Sequence, residues 1–499
     1  MKGISIILLS IALSANSVSA ESIGGDDAQS HGFQPVAKFN PWADNYSDVI
    51  SLKNKSQWGP YNVHDPSIRR IGDMYYCYST DAILGDPKVM AQSGIKTGFI
   101  QMRTSRDLVN WNFAGWALDH IPAEAAEWVR SNAGGHGAYN IWAPFIRQEG
   151  KVFRLYYCVS AFGKKDSYIG LLESTSPLGP WLNRGCVVKT DEGSVMNAID
   201  PTVIDDAETN CQWMIYGSYF GGIFAVELDR ITGKPLKEGD KGHRVALRAN
   251  YQTDNMEAPE VVYNRHLDNY YLFTSYGPLS TTYNVRVAKG KSGDGPFIDF
   301  LGRDVNDTIN AMPILTAPYR FDGHSGWAGL GHCTVFDDGN EHYFMANQGR
   351  LSPENAMMDM HVRRLFFNSA GWPMVSPERY AGEDVTNVDI KPGALEGVWE
   401  VMHITDLSSA KVNEAGQSDN GHLSDSEINK SAFTRITADD IMPAPVKTAD
   451  GMIYSMRIKG QIYTDIMVFY GHDWEKHTDT LLFVCLDSQG NTFWGKKIG

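Results

Sequence analysis

HDPSIRRIGDMYYCYST, residues 64–80, is two apolar runs joined at Gly72-Asp73, and its grammar recurs four more times along the chain. The later copies open on WAPFI at Trp142, IDPTV at Ile199, EAPEVV at Glu257 and GHCTVF at Gly331. Each is followed, after a short polar turn, by a run rich in aromatics: FRLYYCVS from Phe153, WMIYGS from Trp213, YYLFTS from Tyr270 and HYFMAN from His342. Turn signals such as Glu149-Gly150-Lys151 and Asp338-Gly339-Asn340 stand between the halves, which is the pattern of a β-hairpin. The openings fall 78, 57, 58 and 74 residues apart, enough for a four-stranded antiparallel sheet with loops of varying length in each repeat. Few segments show sustained helical periodicity, so the chain reads as all-β. Repeated small sheets predict a propeller, whose radial packing protects strand edges, and five repeats predict five blades.

The first run of each repeat is expected to be the innermost strand, with its opening residue at one mouth of a central channel. Four of the five openings carry a proline directly after Asp65, Ala143, Asp200 or Ala258. Proline lacks an N–H and is tolerated at strand starts and bends, so these pairs mark where the inner strands enter. Asp65, Asp200 and Glu257 then face one mouth. Hydrolysis of a glycosidic bond needs one carboxylic acid to protonate the leaving oxygen and one carboxylate to activate water or attack the sugar. A third carboxylate raises the acid's pKa by like-charge repulsion. The structural alternative is that Asp-Pro is simply a turn former; acids recurring at repeat openings favour a functional cluster. Glu260 is the rival acid, but strict alternation along a strand would turn Glu257 and Glu260 to opposite faces.

His332 opens the fifth repeat and is expected on the same axis. A lone histidine is more often a packed core residue than a ligand, and no second ligand stands beside it in sequence. Trp142 offers either a stacking face for a sugar or packing between blades. Asp205-Asp206 and Asp337-Asp338-Gly339 lack the downstream glutamate of a calcium-binding loop and read as solvated turns. There is no phosphate-binding glycine loop and no nucleophile elbow.

Met1-Lys2, an apolar run over Ile4–Leu13 and Ser17-Val18-Ser19-Ala20 have the order of a signal peptide over residues 1–20, which predicts export to the periplasm or beyond the cell. Residues 21–45 read as a poorly structured lead-in, 46–382 as the propeller and 383–499 as a small C-terminal β domain, sandwich or barrel. No stretch is long and apolar enough to span a membrane. The net charge of −15 argues against a nucleic-acid partner. Six scattered cysteines, none in a C-x-x-C pair, read mostly as buried free thiols, with pairing of some left open for an exported chain.

HDPSI, the WAP at Trp142, NAIDP over Asn197–Pro201 and MEAPEVV from Met256 resemble the blade-start motifs of glycoside hydrolase family 43. GLGH over Gly329–His332, MHVRRLFF from Met360 and GWPMVSPERYAGE from Gly371 are similar to segments of its extracellular endo-1,5-α-L-arabinanases with an added C-terminal domain. The likeness runs from about residue 58 to 383, in the family's order. It implies an inverting hydrolase of arabinan or arabino-oligosaccharides, expected as a monomer. Asp65 would be the general base, Glu257 the general acid and Asp200 the group that tunes and orients it. Inversion requires base and acid carboxyls about 6.5–9.5 Å apart. The resemblance also implies substrate contacts from Trp142, Asn197, Ser218 and Tyr219, and a Ca2+-like ion on His332. Two alternatives stand beside it: an exo-acting arabinosidase or β-xylosidase, and a propeller that binds polysaccharide without cutting it.

Overall fold

The computed structural model describes residues 58–80, 98–248, 256–307, 311–352, 358–383, 389–407 and 427–498. The expected signal peptide and lead-in lie outside them. Every hairpin of the repeat forms. His64–Ile71 pairs antiparallel with Met74–Thr80, and Gly72 between them takes φ +65°, a left-handed conformation that a tight hairpin turn demands. Phe99–Ser105 and Asn112–Leu118 complete this first four-stranded sheet. The second sheet runs Trp142–Glu149, Val152–Ser160, Ser167–Ser174, Leu182–Thr190. The third and fourth start from Thr202–Asp205 and Met256–Asn264 and have five strands each. The fifth is built around Cys333–Asp337, Tyr343–Leu351, Asp359–Phe367 and Pro373–Val375.

The first strands of these five sheets lie against one another in chain order, and the last of them lies against the first. The result is a propeller arrangement of sheets. The faces between sheets are apolar. Tyr78, Ile146, Leu155 and Tyr157 pack between the first and second; Phe145, Tyr156, Met214 and Tyr216 between the second and third; Ile68, Tyr75, Phe336 and Phe344 between the fifth and first. Each such side chain contributes about 1.5–3 kcal/mol when fully buried. Between the first and fifth sheets the backbone also pairs, Asn62 N–H donating to the Met358 carbonyl and Met360 N–H to that of Pro60, both near 3 Å.

One helix, Ala123–Asn132, was not legible as such. Only Ala125, Ala126 and Val129 of it are buried, against the second sheet, so its apolar stripe is too brief for a periodicity reading. The C-terminal residues form one seven-stranded antiparallel sheet, Ala432–Ile436, Gly397–His403, Thr492–Ile498, Thr478–Leu486, Gln461–Asp473, Met452–Ile458, Val446–Lys447. A sandwich needs two sheets, and here one sheet curls around Trp399, Met456, Ile466, Phe483 and Phe493, with Ile441 bridging back to Met456. Tyr319–Arg320 pairs in parallel with Asn429–Lys430, joining this domain to the fifth sheet. Beneath that joint the buried Lys496 ammonium meets Glu378 at 2.7 Å, Asp473 at 3.0 Å and Glu475 at 2.5 Å. Burial, and then the neighbouring Glu475, push the Glu378 carboxyl far above its usual range, so the cluster buries less net charge than its formula suggests. All six cysteines are free thiols. No helix among the described residues is long and apolar enough to cross a membrane.

Candidate active site

The five inner strands share a backbone device at their openings. Asp65, Ala143, Asp200, Ala258 and His332 all have left-handed φ, between 41° and 56°. None is glycine, and such conformations cost about 1–3 kcal/mol each, so something must hold them. In four cases the N–H of the strained residue is received by the preceding sheet's second strand. Ala143 donates to Thr80 Oγ1 at 2.8 Å, Asp200 to the Cys158 sulfur, His332 to Ser275 Oγ at 2.8 Å and Asp65 to Gln348 Oε1 at 3.2 Å. In the third sheet the corresponding position is Gly217, which pairs with Ile199 and offers no side chain. A Cβ there would come within 2.4 Å of the Gly222 carbonyl. The N–H of Ala258 goes instead to Asp200 Oδ2, at 3.1 Å. Asp200 thereby fixes the backbone of the residue next to Glu257.

The three acids expected at one mouth are brought together, and their surroundings separate them electrically. Asp65 is 7 % exposed. Burial alone would raise its pKa, but His332 Nδ1 at 2.9 Å, His64 Nε2 at 3.1 Å and Thr80 Oγ1 at 2.7 Å outweigh that and hold the carboxyl well below the usual range. Asp200 is pushed the other way, up to about 8, by burial first, against the pull of His332 and with the repulsion of Glu257 and Asp65. Glu257 is also raised, chiefly by desolvation, although Ser218 Oγ at 2.7 Å and the Tyr283 hydroxyl donate to it and His332 lies near. One carboxylate is thus kept ionised while a facing pair retains a proton, an arrangement suited to acid and base work at one pH. His332 is raised to about 9: burial opposes its charge, and Asp65, then Asp200 and Glu257, overcome it. Its Nδ1 is committed to Asp65, which leaves Nε2.

Glu257 sits one residue earlier in its repeat than Asp65 and Asp200 do in theirs; its register equivalents are His64, Trp142 and Ile199. Ser218 is in the site through Glu257, and Tyr219 joins it, its N–H donating to the Met256 carbonyl at 2.8 Å and its phenol raised by burial and then by Glu257. Asn197 is buried, with Oδ1 accepting from Ser167 at 2.6 Å. Trp142 is partly buried against the core shared by the second and third sheets, so packing is part of its role. Sequence reasoning missed Tyr283, which is buried, bonds Glu257 and lies so close to Gly331 that a Cβ there would meet its ring at 2.2 Å. Its one signal was Gly331, a glycine where other repeats carry larger residues.

Alternation does not divide Glu257 from Glu260 as expected. The strained Ala258 creates a bulge that shifts register between them. Glu260 therefore also faces the axis, deeper in. It accepts from Arg69 at 3.0 Å, Thr202 at 3.0 Å, Thr334 at 3.3 Å and the N–H of Val335 at 3.3 Å, so it bridges the inner strands of four sheets. Both its oxygens are used there, so it ties these inner strands together.

Residues 59–373 match the model for glycosyl hydrolases family 43, and residues 377–495 match that for the family's C-terminal lipocalin-like domain. An extracellular endo-α-(1→5)-L-arabinanase of Thermotoga petrophila is 28 % identical over 490 residues, covering 87 % of this chain and 93 % of its own. An extracellular exo-α-(1→5)-L-arabinofuranosidase of Cellvibrio japonicus is 31 % identical over 332 residues, 63 % of this chain and 86 % of its own. The crystal structure of an endo-1,5-α-L-arabinanase from Thermotoga petrophila superposes with a TM-score of 0.70 at 25 % identity, across 88 % of this chain and 99 % of that one. With the propeller arrangement, the acids gathered at one mouth and a matching domain on either side of residue 375, this chain belongs to glycosyl hydrolases family 43 and is a glycoside hydrolase.

Proposed function

We propose that this enzyme is an exported, monomeric endo-hydrolase of α-1,5-linked arabinan, that its five sheets are five blades, and that it works with inversion. The observation that carries the mechanism is the electrical separation at the mouth: Asp65 held ionised, Asp200 and Glu257 held up. Asp65 takes a proton from the attacking water, its orientation fixed by Thr80 and His332. Glu257 delivers its proton to the leaving oxygen, placed by Ser218 and Tyr283. Asp200, clamped to Ala258, steadies the backbone that carries the acid, and burial with the mutual repulsion of the two carboxyls keeps a proton on the Asp200–Glu257 pair. Trp142, Asn197, Ser218 and Tyr219 contact the sugar. The curated relatives named as endo-acting arabinanases cover most of both chains and support the substrate assignment. The Cellvibrio japonicus relative, named as exo-acting, favours a second reading in which the same chemistry removes arabinose from chain ends.

In its neutral form, which a cation would favour over the imidazolium that Asp65 promotes in its absence, His332 also fits a single-point cation ligand. A ligating imidazole is usually oriented by a carboxylate on its other nitrogen, which is what Asp65 does at Nδ1. No three donor atoms at this mouth form a metal-type cluster among the described residues, so a calcium-like ion on Nε2 would be held otherwise by water. Bound there, it would supply positive charge near the acids. The deciding experiment follows product length and anomeric configuration during hydrolysis of linear arabinan. Short oligomers of inverted configuration ahead of monomer are expected; arabinose alone from the outset would establish exo action, and retained configuration would reject Asp65 as the base.

A further inference from the structure

The C-terminal domain reaches the acid side of the mouth. Just beyond its strand Gly397–His403, Thr405 donates through its N–H and its hydroxyl to Asn429 Oδ1, at 3.2 and 2.9 Å, and Asn429 Nδ2 donates to the Pro318 carbonyl of the propeller at 3.0 Å. The next residue, Asp406, is thereby set against two arginines, its Oδ2 lying 2.8 Å from Arg286 Nη2 and 4.0 Å from Arg248 Nη2. Arg286 belongs to the fourth sheet's strand Asn284–Gly290, and Arg248 follows the third sheet's strand His243–Ala246. Both are buried, and both lie over the ring of Tyr276, Arg248 at 4.1 Å and Arg286 at 5.0 Å. Two buried guanidiniums on one aromatic ring repel each other, and a carboxylate shared between them offsets that repulsion.

What these arginines hold is the set of groups around Glu257. Arg286 Nε donates to Asn284 Oδ1 at 2.9 Å, and Asn284 Nδ2 donates to the carbonyls of Tyr276 at 2.9 Å and Thr282 at 3.0 Å. Asn284 thus closes the turn that runs from Tyr276 to Tyr283, and the Tyr283 hydroxyl donates to Glu257. Tyr276 is itself the strand partner of Met256, the residue before Glu257. Arg248 stands near Tyr219, where it opposes the rise that burial and Glu257 impose on the phenol. We propose that Asp406 is a positioning residue, through which the C-terminal domain holds Tyr283 and Tyr219, and so Glu257, in the geometry that proton delivery requires. The inference rests on the reading of Glu257 as the acid. Without the Asp406 carboxylate the two guanidiniums part and the turn that carries Tyr283 loosens; a shift of about 1 Å in a reacting group costs up to about 100-fold.

The test compares two substrates on the full-length protein: linear arabinan, whose sugar leaving group needs the acid's proton, and 4-nitrophenyl α-1,5-arabinotrioside, whose nitrophenolate departs without it. Asp406→Asn should lower kcat on arabinan about tenfold and kcat on the nitrophenyl substrate by less than about twofold. Asp406→Glu, which keeps the charge, should hold kcat on arabinan within about threefold of the parent. Arg286→Leu leaves one arginine to one carboxylate and should show the same selective loss even where Asp406→Asn fails to fold; melting curves identify the folded variants. Lys476→Ala, which breaks a different contact between the domains, with Asp322 at 3.4 Å, should leave both rates unchanged. Equal loss on both substrates, or loss on neither, in the folded Asp406 and Arg286 variants would overturn the proposal. Glu257→Gln run alongside keeps the two readings apart. It should lose arabinan hydrolysis and retain the nitrophenyl substrate; equal loss on both would reject the acid assignment and the inference with it, whereas a selective Glu257→Gln beside an unselective Asp406→Asn would reject the inference alone.

Discussion

Two neighbouring glutamates of one strand should fail in opposite ways when made neutral. In Glu260→Gln the oxygen that serves Arg69, Thr334 and Val335 survives as an amide carbonyl, and the rotating Thr202 hydroxyl can accept from the new NH2. What disappears is the negative charge facing Arg69. Breaking a buried ion pair costs about 3–5 kcal/mol. Arg69 keeps 23 % of its side-chain exposure and glutamine keeps an acceptor, so the expected loss is about 2–3 kcal/mol. With an unfolding entropy of about 0.9 kcal/mol/K for a folded chain of this size, that lowers Tm by about 2–3 °C. Turnover should fall by no more than a few-fold. In Glu257→Gln an amide replaces an acid whose burial already disfavours its charged form, so Tm should stay within about 1 °C while kcat drops about 10²–10⁴-fold. Scanning calorimetry and sugar release from linear arabinan measure the two quantities on the same samples. If Glu260→Gln melts like the parent but is as inactive as Glu257→Gln, Glu260 is the acid and the assignment by hydrogen-bond satisfaction is wrong.

Because the general acid must carry its proton and its pKa is raised, kcat/KM should fall as pH rises through the upper step of the coupled Asp200–Glu257 pair. Asp200→Asn uncouples the pair, so the upper step is lost and Glu257 gives up its proton at lower pH; in that variant the alkaline limb of a pH–rate profile should move to lower pH. Thr80→Val strips a hydrogen bond from Asp65 and leaves the Ala143 N–H without an acceptor; a loss of about 1–3 kcal/mol in urea unfolding is expected, with a roughly tenfold drop in kcat. Calcium added to chelator-treated protein should raise Tm and activity together, and His332→Ala should abolish the rise in Tm; an unchanged melting curve in the parent would remove the cation from the proposal.

The repeats, their hairpins and the gathering of Asp65, Asp200, Glu257 and His332 were legible because each depends on a pattern a few residues long. A strand opening and a hairpin turn are local, and equal openings in a closed array must converge. The rest depended on partners far apart in sequence. The left-handed residue at each opening resets strand alternation, which is why Glu260 faces the axis although a period of two sends it elsewhere. Tyr283 reaches Glu257 from the segment after the fourth sheet's second strand, which carries no strand pattern of its own. For the C-terminal domain the sequence left sandwich and barrel open, because strand alternation is the same in two packed sheets and in one curled sheet.

The bond from the Asp65 N–H to Gln348 places the proposed base at the seam where the first and last sheets of the ring are stitched. Any propeller that loosens does so most readily where its two chain ends meet, since no covalent continuity spans that gap. Here the loosening would swing Asp65 away from Glu257 before either acid's own sheet is disturbed, so activity is expected to be lost on heating as the apolar face of Ile68, Tyr75, Phe336 and Phe344 and the Asn62–Met358 and Met360–Pro60 backbone bonds at that joint give way.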